Sequence, residues 1–529
     1  MQSPISHESV GPMSEDKSVT ARLSGVPNPD ALPSEALDYS RMLQKDAVGY
    51  LPIKLIPAVA GLASIVILTR NLDPEQYGVY SAVMAAVLLM NQIFGAWISS
   101  AVFYVYPDYQ KNHDHEFKAV ALRLQALASL IALVVAYVGI LLITHNYLLA
   151  LVGGIITVFR LVQYLMMTFL QSTRNVREQI ISVVAQTLSQ LALLCLLIFV
   201  ARGKEMAALL AVLAGYMASI PVLARQTGIS SRKSLNDEIL KMGDIFRKLL
   251  SYGMPMCVWF FATQFYTIGD RILLQLMGST QGLGQYASFR DLATGLAGFL
   301  TMPLLMASHP IIMSMWKNGT ERSDIEHLIT RNLILLTILF VPIFVVVDLS
   351  GSWVLMGMFG KRYLMGKTSM LLVVGSIYLA AAAMYVQKGL EVTGKTLQMA
   401  TVSLIASVMS LVGDLAIIPH YGVLGAASIM VLVQIFYLLA VWQISKRILN
   451  PKIPISLLIK LSFWVIGVEV ICRVLGSLPG AFGAFWASSL NRGIFIFVAT
   501  CLLYLWSNEI SSVLREIVRS VGKPLNWNC

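Results

Sequence analysis

Charge is what this sequence has least of for its length. Only 13% of its 529 residues are Asp, Glu, Lys or Arg, while 57% are apolar. A soluble chain of ordinary composition carries roughly a quarter charged residues, so the several soluble domains that length alone suggests are excluded. Cysteine is scarce too. Cys195, Cys257, Cys472 and Cys501 lie inside apolar runs and Cys529 ends the chain. They form neither metal-ligand spacing nor a disulfide framework, and no metal site is expected. A glycine-rich phosphate loop between a strand and a helix is also missing. The net charge of +11 does not indicate nucleic acid, because no basic run interleaved with aromatics sits on a soluble stretch. Residues 1–47 contain no apolar core, so no cleaved signal peptide is expected there.

What the sequence has in abundance is apolar runs close to twenty residues long. Inside lipid every backbone amide must be paired within the protein, which leaves helices or closed barrels. Barrel strands are about half this length and alternate in polarity, so the runs predict helices. Hydropathy predicts about fourteen spans: 48–68, 79–103, 119–143, 148–170, 180–200, 206–223, 249–268, 283–307, 333–347, 370–386, 397–418, 423–444, 455–475 and 493–506. The fold expected is therefore an all-α polytopic membrane protein. Lys and Arg concentrate in alternate loops, among them Lys111, Lys118, Arg174, Arg177, Arg247, Lys248, Lys388 and Lys446. That bias places both termini in the cytoplasm.

The spans fall into two sets of six. Residues 1–47 read as a disordered cytoplasmic tail and 48–224 as an N-terminal six-helix bundle. Residues 225–248 form a cytoplasmic amphipathic linker, with Leu235, Ile239, Met242, Phe246 and Leu249 on one helical face. A second bundle covers 249–445, two further spans 446–507, and an amphipathic cytoplasmic tail 508–529. The halves resemble each other. GYLP at Gly49–Pro52 leads to QYGVYSA at Gln76–Ala82, and SYGMP at Ser251–Pro255 leads to GLGQYAS at Gly282–Ser288. Two pseudo-symmetric bundles that face one another enclose a cleft, which is how many transporters are built.

Polar residues inside the spans mark where chemistry would sit, since a charge at the bilayer centre costs about 2.5–3.5 kcal/mol on insertion scales. Arg290 shares a helical face with Tyr286, Thr294 and Thr301, and Arg160 with Gly153, Thr157, Gln163, Tyr164 and Gln171. Lys54 lines up with Tyr50, Pro57, Gly61 and Ser64, and Gln186 with Ser182 and Ser189. Gln264, Thr267 and Arg271 form another stripe, and Asp414 ends one made of Ser403, Ser407 and Ser410. Arg160, Arg290 and Lys54, with Gln163, Gln186, Gln264 and Arg271, are the candidate substrate-contacting residues of a hydrated cavity whose cations suit an anionic head group. Asp270, Asp291, Asp414 and Glu469 are the candidate acids, either as structural partners or as sites for a coupling proton or sodium ion. Close helix packing is the competing explanation for every stripe of small polar residues. No catalytic residue and no cofactor are expected. Asp73 and Glu75 in the first loop would suit a membrane glycosyltransferase or polymerase, but the outer loops are too short to hold a sugar acceptor. NLDPEQYG reads instead as a turn with Pro74 starting the next helix.

ILTRNLDPEQYGVYSA at Ile67–Ala82 resembles the loop after the first span in polysaccharide-biosynthesis flippases of the multidrug/oligosaccharidyl-lipid/polysaccharide (MOP) superfamily. SYGMP at Ser251–Pro255, GDRILL at Gly269–Leu274, GQYASFRDL at Gly284–Leu292 and IPHYGVLGAA at Ile418–Ala427 are similar to that family in order and spacing. The resemblance implies two six-helix bundles in a V around a cationic lumen, followed by two extra helices. It also implies alternating-access transport of undecaprenyl-pyrophosphate-linked oligosaccharides in a bacterial inner membrane, beside a polysaccharide polymerase and export proteins. Asp270 and Arg271 match the family's Asp-Arg pair. A cation-coupled multidrug exporter and a peptidoglycan-precursor flippase are the alternatives within the same superfamily.

Overall fold

The computed structural model describes residues 52–53, 55–110, 113–173, 175–200, 203–227 and 239–452, with isolated residues between 460 and 477. The described residues are mostly helical and contain no strand. Eleven helices carry the argument. They are α1 (Leu55–Asn71), α2 (Pro74–Tyr109), α3 (Asp114–Thr144), α4 (Tyr147–Ser172), α5 (Val176–Val200) and α6 (Glu205–Gln226). These are followed by α7 (Ile239–Met277), α8 (Thr280–Lys317), α9 (Arg322–Met358), α10 (Lys367–Val392) and α11 (Thr396–Ser445). Eight helices in the described residues are long and apolar enough to cross a membrane, and α1 is a shorter apolar helix. The expected spans from 79–103 to 423–444 fall on α2–α11, and the part of 48–68 from Leu55 onward falls on α1, residues 48–51 and 54 lying outside the described residues. The span at 493–506 and the amphipathic tail lie outside the described residues, as does nearly all of 455–475.

Local sequence explains the helix boundaries. Pro74 occupies the first turn of α2, where its missing N–H costs nothing, and the Gln76 side chain accepts the Asp73 amide at 3.2 Å. Asn146 caps α4 by accepting from Leu148 and Leu149. The α11 helix bends at Gly422, whose φ of 51° favours glycine, three residues after Pro419. The bend separates the two expected spans 397–418 and 423–444. Hydropathy places the ninth span only over 333–347, but α9 runs on to Met358. Asp348 ends the apolar run in the sequence, yet Lys367 pairs with it at 2.7 Å and the helix continues past it. The apolar face of the linker also belongs to a longer element. From Ile239 onward it is the start of α7, which bears Ile245 and Leu249 into a core with α2, α3 and α4 while Phe246 stays exposed.

Polarity is inverted relative to a soluble bundle. On α3, Leu127, Leu130, Ile131, Val134, Val138 and Leu142 are exposed, which suits contact with lipid chains. On α11, Leu404, Ile405, Val408, Val412 and Leu415 face outward, while Ser403, Ser407, Ser410 and Asp414 are buried. Among the early helices, α3 packs on α4, α5 on α6, and α4 on α6. Among the later ones, α7 packs on α11, α10 on α11, and α9 on α10. The α2 helix joins these sets, touching α8 along its first part and α7 along its whole length. Between the two parts Gln92–Ala96 is a π-helical segment, a local widening of the helical turn that often marks functional sites.

Candidate functional site

Three of the runs that resemble the flippase family, Ile67–Ala82, Gly269–Leu274 and Gly284–Leu292, converge at one end of the bundle. Asp270 and Arg271 lie near the end of α7, and Arg290 and Asp291 lie in α8 beyond the short Gly278–Ser279 turn. The antiparallel hairpin brings them level and the charges pair crosswise. Arg290 Nη1 donates to both Asp270 carboxylate oxygens, at 2.8 and 2.6 Å. Arg271 Nη2 donates to Asp291 Oδ1 at 2.5 Å. Adjacent helical residues point apart, so each helix offers one acid and one base to its neighbour and the quartet is neutral.

Phenols and one serine complete it. The Tyr286 hydroxyl donates to Asp270 Oδ2 at 2.5 Å, and the Arg290 guanidinium lies over the Tyr286 ring. The second Arg290 nitrogen donates to the Thr267 carbonyl. From α2, Tyr77 donates to Asp291 Oδ2 at 3.0 Å and Ser81 accepts from Arg271 Nη1 at 3.2 Å. An early helix is thus bonded directly to charges on two later ones.

This arrangement corrects the reading of Arg290 as a cation facing water. Its side chain is 3% exposed and its charge is met by Asp270, itself 6% exposed. A charge among apolar helices can be satisfied by a counter-charge as well as by water. Sequence periodicity shows a helical face but not what lies opposite. Arg271, Asp270 and Asp291 are likewise committed to this network.

Around the quartet the backbone comes unusually close. A Cβ added to Gly284 would lie 1.7 Å from the Pro74 carbonyl oxygen, and one added to Gly78 would lie 2.3 Å from that of Thr280. These glycines belong to the two repeated motifs, QYG and GQY, which therefore cross one another. Loops at the same end add further ties. Arg70 Nε donates to the Met358 carbonyl at the end of α9 at 2.6 Å, where a cation also complements the helix dipole. Arg362 pairs with Asp73, and the Tyr363 hydroxyl donates to the Leu72 carbonyl at 3.0 Å. Burial, with Asp73 nearby, raises the Tyr363 phenol above its ordinary pKa. Arg70, at the end of α1, and the loop residues Arg362 and Tyr363 carry no periodic signal in the sequence.

Arg160 has a different environment. It lies mid-way along α4, partly buried, and donates to the Tyr216 hydroxyl on α6 with its guanidinium 5.7 Å from that ring centre. Among the described residues no carboxylate pairs with it. One turn on, Gln163 donates to Gln186 on α5 at 2.9 Å. Gln186 in turn lines a pocket of ≈ 90 Å³ with Pro57, Gly61 and Ser64 of α1. Two polar stripes expected separately, one from α1 and one from α5, thus face each other. Lys54 and Glu469 lie outside the described residues. Gln264 does not reach this pocket but accepts from Gln92 of the π segment at 3.2 Å. Asp414 is 1% exposed, with Ser410 donating to one oxygen at 3.0 Å and no partner among the described residues for the other. Among the described residues no three His, Cys, Asp or Glu side chains are grouped as a metal site requires.

Known proteins match this arrangement at two levels. The family described as "Polysaccharide biosynthesis protein" matches residues 43–316. No curated protein matches the chain significantly. Among solved structures, the lipid II flippase MurJ in an inward closed conformation is similar at TM-score 0.65 and 12% identity, covering 86% of this chain and 98% of its own. An inward-facing multidrug resistance MATE transporter of the MOP superfamily aligns at TM-score 0.58 and 13% identity, over 76% of this chain and 97% of its own. The MATE multidrug transporter DinF-BH aligns at TM-score 0.57 and 15% identity, over 79% and 97%. At such identities the structural likeness speaks for the fold alone. With the sequence match covering just over half of the chain, the protein belongs to the polysaccharide biosynthesis protein family.

Proposed function

We propose that the protein is a non-enzymatic flippase that moves an undecaprenyl-pyrophosphate-linked oligosaccharide across a bacterial inner membrane by alternating access. The observation that carries this reading is Arg160. It is a permanently charged group in the middle of a spanning helix, and among the described residues it is opposed by a phenol instead of a carboxylate. An unneutralised cation at that depth is costly, and an anionic head group removes the cost on binding. Guanidinium suits the task because its donors match phosphate oxygens in pairs. Gln163 and Gln186 belong to one polar track that reaches Gly61 and Ser64 of α1, and Lys54 remains a candidate on its sequence position alone.

The charge quartet has a separate part in this reading. It ties α2 to α7 and α8 at the end that the Lys and Arg bias assigns to the outside, which supports reading this arrangement as a state closed on that side. The head group enters from the cytoplasm while its lipid tail stays in the bilayer. Parting of α2 from α8 then releases the sugar outside, where a polymerase and export proteins take it up. Asp414, whose second oxygen is unpartnered among the described residues, is the acid best placed to carry a coupling proton or sodium ion.

The test is translocation in reconstituted vesicles with a fluorescent undecaprenyl-pyrophosphate oligosaccharide. Arg160→Ala is expected to slow flipping by roughly tenfold or more while the protein stays folded. Full activity in that variant, or transport of a cationic rhodamine dye in place of the lipid-linked sugar, removes the assignment. Peptidoglycan precursor supplied as a competitor separates the two lipid-linked substrates.

A further inference from the structure

At the other end of α2 from the quartet, a cleft of ≈ 470 Å³ opens between α2, α4 and α7. Its walls include Ser99, Ser100 and Tyr104 of α2, Thr168 and Gln171 of α4, and Tyr252 of α7. None of its lining residues is charged. The Tyr104 and Tyr252 rings are stacked, 4.4 Å between centroids and 6° from parallel, and Tyr104 is 66% exposed. Ser99 is 4% exposed and its hydroxyl has no partner among the described residues.

These features together select a ligand. A wall meant for lipid chains would resemble the Leu and Val surface of α3, without hydroxyls and an amide to leave unsatisfied. A pyrophosphate would find no cation here. An aromatic cation could stack on a phenol, but no carboxylate lines the cleft to meet its charge. A neutral pyranose fits on all counts. Its C–H face packs on an aromatic ring, and its hydroxyl rim both donates to and accepts from Ser, Thr and Gln side chains. The volume lies within the range of small-molecule sites with a few convergent polar groups.

We propose that this cleft binds uncharged sugar rings of the substrate, with the Tyr104–Tyr252 stack as the platform and the Ser99 hydroxyl as one of the groups that hold the rim. The proposal rests on the flippase reading and divides the head group in two, with pyrophosphate at Arg160 and neutral sugar at the cleft. The platform spans an early and a late helix, so sugar binding favours the arrangement in which α2 and α7 remain together.

The experiment uses the full-length protein in lipid nanodiscs and three probes. These are undecaprenyl pyrophosphate carrying a neutral N-acetylhexosamine, bare undecaprenyl pyrophosphate, and a cationic rhodamine dye. The wild type is expected to bind the sugar-bearing lipid more tightly than the bare one. Tyr104→Ala and Tyr252→Ala are expected to lose roughly tenfold on the sugar-bearing lipid and nothing on the bare lipid. Tyr104→Phe and Tyr252→Phe keep the ring and stay within about twofold. Ser99→Ala, which disturbs packing least, is expected to weaken the sugar-bearing lipid about threefold. Equal binding of the two lipids by the wild type, equal losses on both in the alanine variants, or tyrosine-dependent binding of the dye alone overturns the proposal. If vesicles still flip the sugar-bearing lipid while any of these holds, only the cleft assignment fails. If the wild type flips nothing, the flippase reading fails with it.

Discussion

The α2 helix meets the later helices at both of its ends, and the two ends are built differently. Near Pro74 it crosses α8 backbone to backbone through Gly78 and Gly284, bonded by Tyr77 and Ser81 to a set of buried charges. Near Tyr104 it meets α7 through stacked rings beside an uncharged cleft. The first contact has no room to adjust, since neither the glycine crossing nor the crossed ion pairs survive a shift of a few ångströms. The second is closely packed as well, a Cβ added to Gly253 lying 3.0 Å from the Trp97 carbonyl oxygen, but it carries no charges and leaves at its rim a cleft that a ligand can enter. The Gln92–Ala96 π segment lies between them. A helix held by charges at one end and by uncharged packing at the other would suit the alternating access proposed above.

The charged end of α2 is most sensitive at Arg290. Arg290→Ala leaves Asp270 buried without its partner, and is expected to cost about 3–5 kcal/mol, read as a lower melting temperature in detergent. The exchange of Arg290 with Asp270 in a double variant should restore part of that loss. Gly284→Val comes next. Its Cβ would meet the Pro74 oxygen at 1.7 Å, where ordinary contacts lie at 3.4–4 Å, so α2 and α8 must part. Spin labels at Glu75 and Gln285 are expected to move apart, with a stability loss of about 1–3 kcal/mol. An unchanged label distance would mean that this end is not sealed by close packing.

Asp291→Asn probes the more exposed of the two pairs, with side chains 11% and 28% exposed. About 1–2 kcal/mol is expected, and a double-mutant cycle with Asp270→Asn should show coupling because both acids belong to one network. The smallest effect is expected at the rim. Asp73→Ser removes a pair whose side chains are 76% and 53% exposed, and stability should change by less than about 1 kcal/mol and only at low salt. If the rim pair proved more costly than Arg290, the account of what holds this end together would have to be reversed.

How far the site is legible in the sequence varies by residue. Arg160, Gln163 and Gln186 stand out by their helical faces, and the structure joins the two glutamines directly. Asp270, Arg271, Arg290 and Asp291 each stand out as charges within apolar runs, but their crosswise pairing depends on the register of α7 against α8, which no periodicity within one helix encodes. The QYG and GQY motifs are visible as a weak repeat. Their crossing is not, because similarity between two segments says nothing about contact between them. Tyr104 and Ser99 give no signal at all, being common residues in an apolar run.

By itself the sequence determined that the described residues are helical and suited to lipid, roughly where the apolar stretches of the helices lie, and which of their faces are polar. Hydropathy and capping are local properties, and each helix satisfies its own backbone hydrogen bonds before it meets another. Only the tertiary structure decided which charges cancel, which arginine stays uncompensated among the described residues, and which end of α2 is locked. Those outcomes depend on distances between helices far apart in the chain, where a displacement of a few ångströms separates an ion pair from a lone charge.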